Sequence, residues 1–351
     1  MPNVYNICIN PQGIGGTETF SRVLQKNFPH VRNCSFGLAR HAVFDAQFEL
    51  IRRKEVPSIK VFLKKVLLGR KELPLSALQK SKNNIFIFNA PIDFDHFSED
   101  CFKQNKVVYI AHNSPEHVDT HGNYFGKNRE SRIEKLRYVD KFISLTSEYE
   151  TAFQSLYKLQ SSQMDHFYHT TEQVPLRGPK SYINCVGNIC RIDNRAKRLD
   201  RLLAVADTMP DTTFKVFGSG PDKEWFKAEA NSRSNVEFMG LTDNISESLA
   251  EIGVFLVTSD YEGFPISMIE ALSQAVPIVV SNNSFSSAKL IVRNGVNGFV
   301  GEDFNQEHTK QMIMSVFSDY AHFSNGALES FSNFDQNAFY EKWCDIFNNL
   351  A

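Results

Sequence analysis

No two of the six cysteines (Cys8, Cys34, Cys101, Cys185, Cys190 and Cys344) form a CxxC pair. Scattered thiols of this kind read as reduced cysteines in the cytoplasm, and no Cys/His quartet has the spacing of zinc ligands. Apolar runs are short: none approaches the roughly eighteen residues of a membrane span. The start, MPNVYNICIN, lacks a basic stretch followed by an apolar core, so no signal peptide is expected. Excess charge is absent too. The formal net charge of −2 gives no global argument for nucleic acid as a partner. No glycine loop is followed by the GK[ST] of a P-loop, which argues against an ATPase.

What is present is phenylalanine, 30 of them, which reads as core and interface material. The chain of 351 residues is too long for one ordinary core, so two domains are expected. Short apolar runs alternate with helical patterns throughout. VYNICIN, NIFIFNA, KVVYIAHN and KFISLTS read as buried strands of a first half. SYINCVG, TFKVFGSG, NVEFMG, VFLVTS and VPIVVS read as those of a second. Continuous apolar strands between helices argue parallel sheets covered on both faces, so the fold class is α/β with two doubly wound domains. TTEQVPLRGPKS (170–181) has the composition of a linker. The tail is amphipathic, with Phe339, Tyr340, Trp343, Ile346 and Phe347 near helical spacing.

Ligands of open parallel sheets bind beyond the carboxyl ends of the strands, so the loops there carry the functional argument. PQGIGGTETF follows the first strand. Gly13, Gly15 and Gly16 permit close backbone approach, and Thr17 or Thr19 is placed to cap the next helix; the alternative is a plain βα turn. His112, in YIAHNSPEH, falls at a strand end, where it either donates to a ligand or packs as a satisfied core histidine. VGNICRIDNRAKRLDRLL offers Arg191 and Lys197 as a clamp for a diphosphate, or as solvated cations. FGSGP, from Gly218, is another strand–turn–helix junction. EGFPISMIEAL starts a helix after a strand. The amides of Ile266, Ser267 and Met268 are then orphan donors suited to a phosphate. Glu262 precedes the helix and Glu270 lies about one turn inside it. Carboxylates at both ends can hold vicinal hydroxyls, or be ordinary surface acids.

Together these segments carry a resemblance. SDYEGFPISMIEALSQAVPIVVS is similar, almost position for position, to the Glu-x7-Glu motif of retaining, nucleotide-sugar-dependent glycosyltransferases of GT-B architecture, glycosyltransferase family 4 in particular. GIGGTE, His112, the Arg191/Lys197 pair and FGSGP follow in the family's order, so the resemblance spans most of the chain. It implies two Rossmann-like domains facing a central cleft. Residues 1–175 would bind acceptor and 176–332 the nucleotide sugar, with a helix in 333–351 crossing back. It implies transfer of a hexose from a UDP-sugar to a saccharide or glycolipid acceptor of bacterial surface polysaccharide or lipooligosaccharide synthesis. The site would be cytoplasmic, with no metal and no cofactor beyond the co-substrate.

The resemblance also distributes roles. Glu270 would hold the ribose, Glu262 the donor sugar, Arg191 and Lys197 the diphosphate. Gly15 and Gly16 would approach the donor phosphate, His112 the transferred sugar, and Met239 the base. Gly218, Gly263, Phe264, Pro265, Ile266 and Ser267 complete the donor-binding set, and the catalytic set is Glu262, His112, Lys197 and Arg191. One departure is visible: the family's Gly-Arg pair reads Gly187-Asn188, with Arg191 displaced downstream. No protein nucleophile is implied; the work is electrostatic and orientational. Competing readings are a GT-B epimerase or phosphorylase, and a non-catalytic nucleotide-sugar-binding protein. An NAD oxidoreductase fits worst, since the glycine loop is not GxGxxG. DFD (Asp93–Asp95) looks like a metal-binding DxD but is read as a turn.

Residues 52–82 hold ten Lys and Arg against Glu55 and Glu72, a local net of +8. Within them, SIKVFLKKVLLGR puts Ile59, Phe62, Leu63 and Val66 on one helical stripe with Lys60, Lys64 and Lys65 around it. Such a helix suits an anionic membrane surface, an anionic acceptor, or simple packing with a solvated basic face.

Overall fold

The computed structural model describes residues 2–9, 11–13, 15–37, 46–52, 72–115 and 128–351. Within it the chain divides into two units, Met1–His169 with Asn337–Ala351, and Thr170–Gln336. Most of the basic segment, including the stripe from Ile59 to Val66, lies outside the described residues.

The first unit is built on eight parallel strands: β1 (Val4–Ile7), β2 (Val31–Ser35), β3 (Glu49–Arg52), β4 (Glu72–Pro74), β5 (Ile85–Phe88), β6 (Lys106–Ile110), β7 (Lys141–Ser144) and β8 (Met164–His166). Their order is β4-β3-β2-β1-β5-β6-β7-β8. The chain moves outward from β1 to one edge, then returns to β5 and moves to the other. The carboxyl ends of β1 and β5 are therefore a topological switch point. Strand β5, IFIF, shows how the sheet is covered. Ile85 and Ile87 join Phe20, Val23, Leu24 and Trp343 in one core. Phe86 and Phe88 point to the other face, where Phe88 meets Phe94, Phe97 and Phe102 at 5.0–5.5 Å. Much of the phenylalanine is spent in this layer. Helix Gln336–Leu350 belongs to this unit; its Trp343 is fully buried and packs on Phe20 and Phe167.

The second unit holds six parallel strands: β9 (Cys185–Ile189), β10 (Thr213–Phe217), β11 (Val236–Gly240), β12 (Val254–Val257), β13 (Ile278–Val280) and β14 (Gly298–Val300). Their order is β11-β10-β9-β12-β13-β14, which puts a second switch point at β9/β12. Its core is Val186, Leu202, Leu203, Phe214, Val216, Phe226, Leu256 and Ile313, from strands and from helices on them. The fold class is α/β, two parallel doubly wound sheets.

Two local expectations change. SYINCVG is strand only from Cys185, because Tyr182 is half-exposed and stacks edge-on against Phe317 and Tyr320 instead of entering the sheet. Thr17 and Thr19 do not cap the first helix. It begins at Gly16 with Gly15 as N-cap, so both threonines lie inside it, and Thr19 Oγ1 accepts from Arg22 instead.

Candidate active site

In the second unit the site grows from the β9/β12 switch point. The loop after β9 forms a short helix, Asn194–Lys197, ended by Arg198 in a left-handed conformation (φ 49°, ψ 50°). Non-glycine residues seldom stay there unless the surroundings hold them. Here a fork does: Arg198 donates to both oxygens of Asp200 at 3.0 and 2.8 Å and to Asp260 at 2.9 Å. The loop after β12 is strapped to the same helix. Thr258 Oγ1 donates to the carbonyl of Lys197 at 2.8 Å, and the amide of Asp260 to that of Ala196 at 3.0 Å. These bonds bring two candidates together. Lys197 Nζ lies 2.5 Å from Glu262 Oε1, which also accepts from Ser259 Oγ at 2.7 Å. Glu262 raises the pKa of Lys197 against the opposing effect of burial, so the ammonium stays charged.

Beyond Glu262 the backbone turns into helix Ile266–Ser273, with Pro265 as N-cap. Of its first three amides, that of Met268 donates to the Pro265 carbonyl at 3.0 Å, so it is not an orphan donor. The amides of Ile266 and Ser267 are in the first turn, ahead of any helical carbonyl that could accept them. Gly263, Phe264 and Pro265 are buried beneath this turn, Phe264 against Phe334 at 5.9 Å. Glu270 is no surface acid. It is 8 % exposed, and Thr171 Oγ1 lies 3.5 Å from its Oε1.

The remaining second-unit candidates are more dispersed. Arg191 is exposed and only loosely paired, 3.6 Å from Asp193. Asn188, in the place of the family's arginine, is buried and donates to the Leu256 carbonyl at 2.6 Å, tying β9 to β12. Met239 stands half-exposed on the edge strand β11. Gly218 has a structural reason for being glycine. Its φ is +142°, and a Cβ there would lie 1.8 Å from the Cys190 carbonyl oxygen.

In the first unit, Gly15 and Gly16 open helix Gly16–Asn27 beside the β1/β5 switch point. The loop before them is held from below by Arg22, whose Nη1 donates to the carbonyls of Pro11 and Gly13 at 2.9 and 3.0 Å. His112 is a satisfied packed histidine: Nε2 meets Asn89 Oδ1 at 2.8 Å and Nδ1 meets His169 Nε2 at 2.9 Å. Neither ring nitrogen reaches a further group unless one bond is released. Asn89 Nδ2 donates to Asn6 Oδ1 and to the Ile7 carbonyl, so its oxygen must face His112. His112 is therefore protonated on Nε2, and burial pushes its pKa down to about 3. Asp93–Asp95 form part of a 3-10 helix, Pro91–His96, and Asp95 accepts from Arg132 and Asn128. Among the described residues no group of three His, Cys, Asp or Glu is arranged to hold a metal ion, and no helix is long and apolar enough to cross a membrane. Ser259, Thr171, Asn89 and His169 are the partners of the candidate residues that sequence reasoning missed.

Residues 173–338 match the model of the family described as "Glycosyl transferases group 1". The chain carries a group 1 glycosyltransferase domain. Over 281 residues it is 26 % identical to poly(glycerol-phosphate) alpha-glucosyltransferase of Bacillus subtilis, covering 72 % of this chain and 41 % of that one. It is 25 % identical to poly(ribitol-phosphate) alpha-N-acetylglucosaminyltransferase of Staphylococcus aureus, covering 77 % and 56 %. The chain thus spans about half the length of these curated relatives. Its fold is similar to that of HepE from Anabaena, solved in complex with UDP and glucose, with a TM-score of 0.75, 15 % identity and full coverage of both chains. The two parallel sheets of this glycosyltransferase fold are thus GT-B-like.

Proposed function

We propose that the chain is a retaining, metal-independent glycosyltransferase that moves a hexose from a UDP-sugar to a saccharide or glycolipid acceptor in surface-polymer synthesis. The observation that carries this reading is the Lys197–Glu262 contact beside the β9/β12 switch point, next to the open first turn at Ile266 and Ser267. A diphosphate over that turn meets two amides and an ammonium. Glu262 then faces the sugar and buried Glu270 the ribose hydroxyls. As the glycosidic bond breaks, charge grows on the departing diphosphate, where Lys197 and the helix start are already aimed. The departing phosphate is itself a base that can take the proton of the incoming hydroxyl. Arg191 adds long-range positive charge. The sugar contact that the resemblance implies for His112 would fall to a neutral ring whose nitrogens are held by Asn89 and His169.

Two further facts support parts of this. The curated relatives are named for anionic polyol-phosphate acceptors, and the HepE complex contains UDP. An anionic acceptor also suits the +8 block of residues 52–82, and the same block suits the inner face of an anionic membrane at about 1 kcal/mol per cation. The decisive experiment is a thermal-shift screen over UDP-, GDP- and ADP-sugars, followed by transfer to poly(glycerol-phosphate) and to lipid-linked saccharides. Stabilisation by a UDP-sugar and a retained anomeric configuration are expected. Glu270→Ala should weaken donor binding at least about tenfold, since a carboxylate with two ribose hydroxyls is worth ~1.5–3 kcal/mol per bond. Binding without transfer to any acceptor would favour a nucleotide-sugar sensor.

A further inference from the structure

The second unit begins at Thr170 and ends at Gln336. Both ends are fastened to the segment that carries Glu262 and Glu270. Thr170 Oγ1 donates to the Phe334 carbonyl at 2.7 Å, and Phe334 packs on Phe264 at 5.9 Å. Gln336 Nε2 donates to the Thr171 carbonyl at 2.8 Å. The residues after Thr171 are tied to the end of helix Ile266–Ser273. The Leu176 amide donates to the Ser273 carbonyl at 2.9 Å, and Gln274 Nε2 to that of Val174 at 3.0 Å. Thr171 is thus gripped from both sides, and it is fully buried.

Its hydroxyl has a single proton to give. The Gln173 amide donates to Thr171 Oγ1 at 3.2 Å, and Oγ1 in turn donates to Glu270 Oε1 at 3.5 Å. The bond is long, but it goes to a carboxylate that is largely withdrawn from water. A glutamate side chain has much rotamer freedom to lose when it closes on a ligand. A hydroxyl held on a separate, fixed segment restrains the carboxylate beforehand, so less is lost on binding. A carboxylate offers about four acceptor positions, so one bond from Thr171 does not compete with ligand hydroxyls.

We propose that Thr171 is a positioning residue. Acting through Glu270, it sets the carboxylate for the vicinal hydroxyls of a ribose and so sharpens the preference for a ribonucleotide. The inference rests on the reading of Glu270 as the ribose contact.

The test is calorimetric titration of the full chain with UDP and with 2′-deoxy-UDP. Wild type is compared with Thr171→Val, Thr171→Ala, Thr171→Ser, Glu270→Ala and the Thr171→Ala/Glu270→Ala double variant. Thr171→Val is expected to bind UDP about fivefold more weakly and 2′-deoxy-UDP by a smaller factor, so the preference narrows. Thr171→Ala removes the hydroxyl without placing a methyl against the carboxylate, and decides the question if Thr171→Val does not melt cooperatively. Thr171→Ser keeps the hydroxyl and should match wild type. In the Glu270→Ala background, Thr171→Ala should cost nothing further. A further loss of UDP affinity there would mean that Thr171 acts through the fold, and overturns the proposal. So does an unchanged preference in the hydroxyl-less variants when Glu270→Ala has lost it. A wild type without the preference, or a Glu270→Ala that keeps it, overturns the ribose reading and the proposal with it.

Discussion

His169 donates its Nε2 proton to Nδ1 of His112 across 2.9 Å, and this bond fixes the protonation of both rings. His112 already gives its own proton to Asn89, so it can only accept from His169. Nδ1 of His169 is then left deprotonated, buried and without a partner. Both rings hold pKa values below the ordinary histidine range, chiefly because burial disfavours the cation. The unfolded chain therefore binds more protons than the native one below pH 6.5. Stability contributed by the neutral pair is full above that pH and is lost as pH falls. Unfolding midpoints in urea should decline from about pH 6.5 to 5, by up to ~1.4 kcal/mol per pH unit for each ring. His169→Gln should flatten that decline. Equal slopes in both proteins would show that other groups set the acid limit.

Lys197→Met should reduce turnover more than donor affinity. Under the proposed reading, a donor phosphate that takes a bond from Lys197 would do so at the expense of the Lys197–Glu262 bond, so the ground state would gain little from the ammonium. The transition state gains more, because charge on the leaving diphosphate is greater there. A fall in kcat of about 100-fold, with a much smaller change in KM, is expected from steady-state kinetics. Equal losses in both would mean that Lys197 binds substrate and transition state alike.

Asp95→Ala should act on folding. The carboxylate is held below its usual pKa range chiefly by Arg132, which is buried. Removing it leaves a guanidinium without that partner, at a cost of about 2 kcal/mol in denaturant unfolding. Transfer by the folded fraction should persist, and excess EDTA should not affect the wild type. A loss of activity restored by added divalent cation would reinstate Asp93 and Asp95 as a metal site.

Gly218→Ala should be among the most damaging single-methyl additions to the second unit. The new Cβ would collide with the Cys190 carbonyl, which is backbone and cannot rotate away, at a φ that alanine avoids. A drop in melting temperature of several degrees is expected for the variant, with a similar drop in the presence of UDP-sugar. An unchanged melt with weakened donor binding would instead assign Gly218 to ligand approach.

The strands legible in the sequence are those whose apolar residues run without a break, such as β5, β6 and β12. Strand β2, VRNCS, is missed because buried Asn33 looks like a loop residue; its side chain accepts from Asn6 across the sheet at 2.8 Å. Strands β3 and β4 are four and three residues long, too brief for any period to register. The site follows the same rule. Glu262, Ile266 and Glu270 are visible because one short segment contains them. Thr171 and Glu270 are 99 residues apart, and His112 and His169 are 57 apart, so no local pattern joins them. Burial separates them further from their surface reading: nothing in the string EAL says that the glutamate is inside.

The first unit is assembled from two separated segments, Met1–His169 and Asn337–Ala351, which become available at different times during synthesis. A ribosome finishes Thr170–Gln336 before it delivers the helix that carries Trp343. Until then Phe20 and Phe167 lack their buried indole neighbour, a gap of the size that costs about 3–5 kcal/mol when created by truncating an aromatic. The second unit can thus reach its native state first, while the unit bearing His112 and the glycine loop waits for Asn337–Ala351 to emerge. Slow translation of helix Gln336–Leu350 would prolong the exposure of the apolar surface around Phe20 and Phe167 that Trp343 covers.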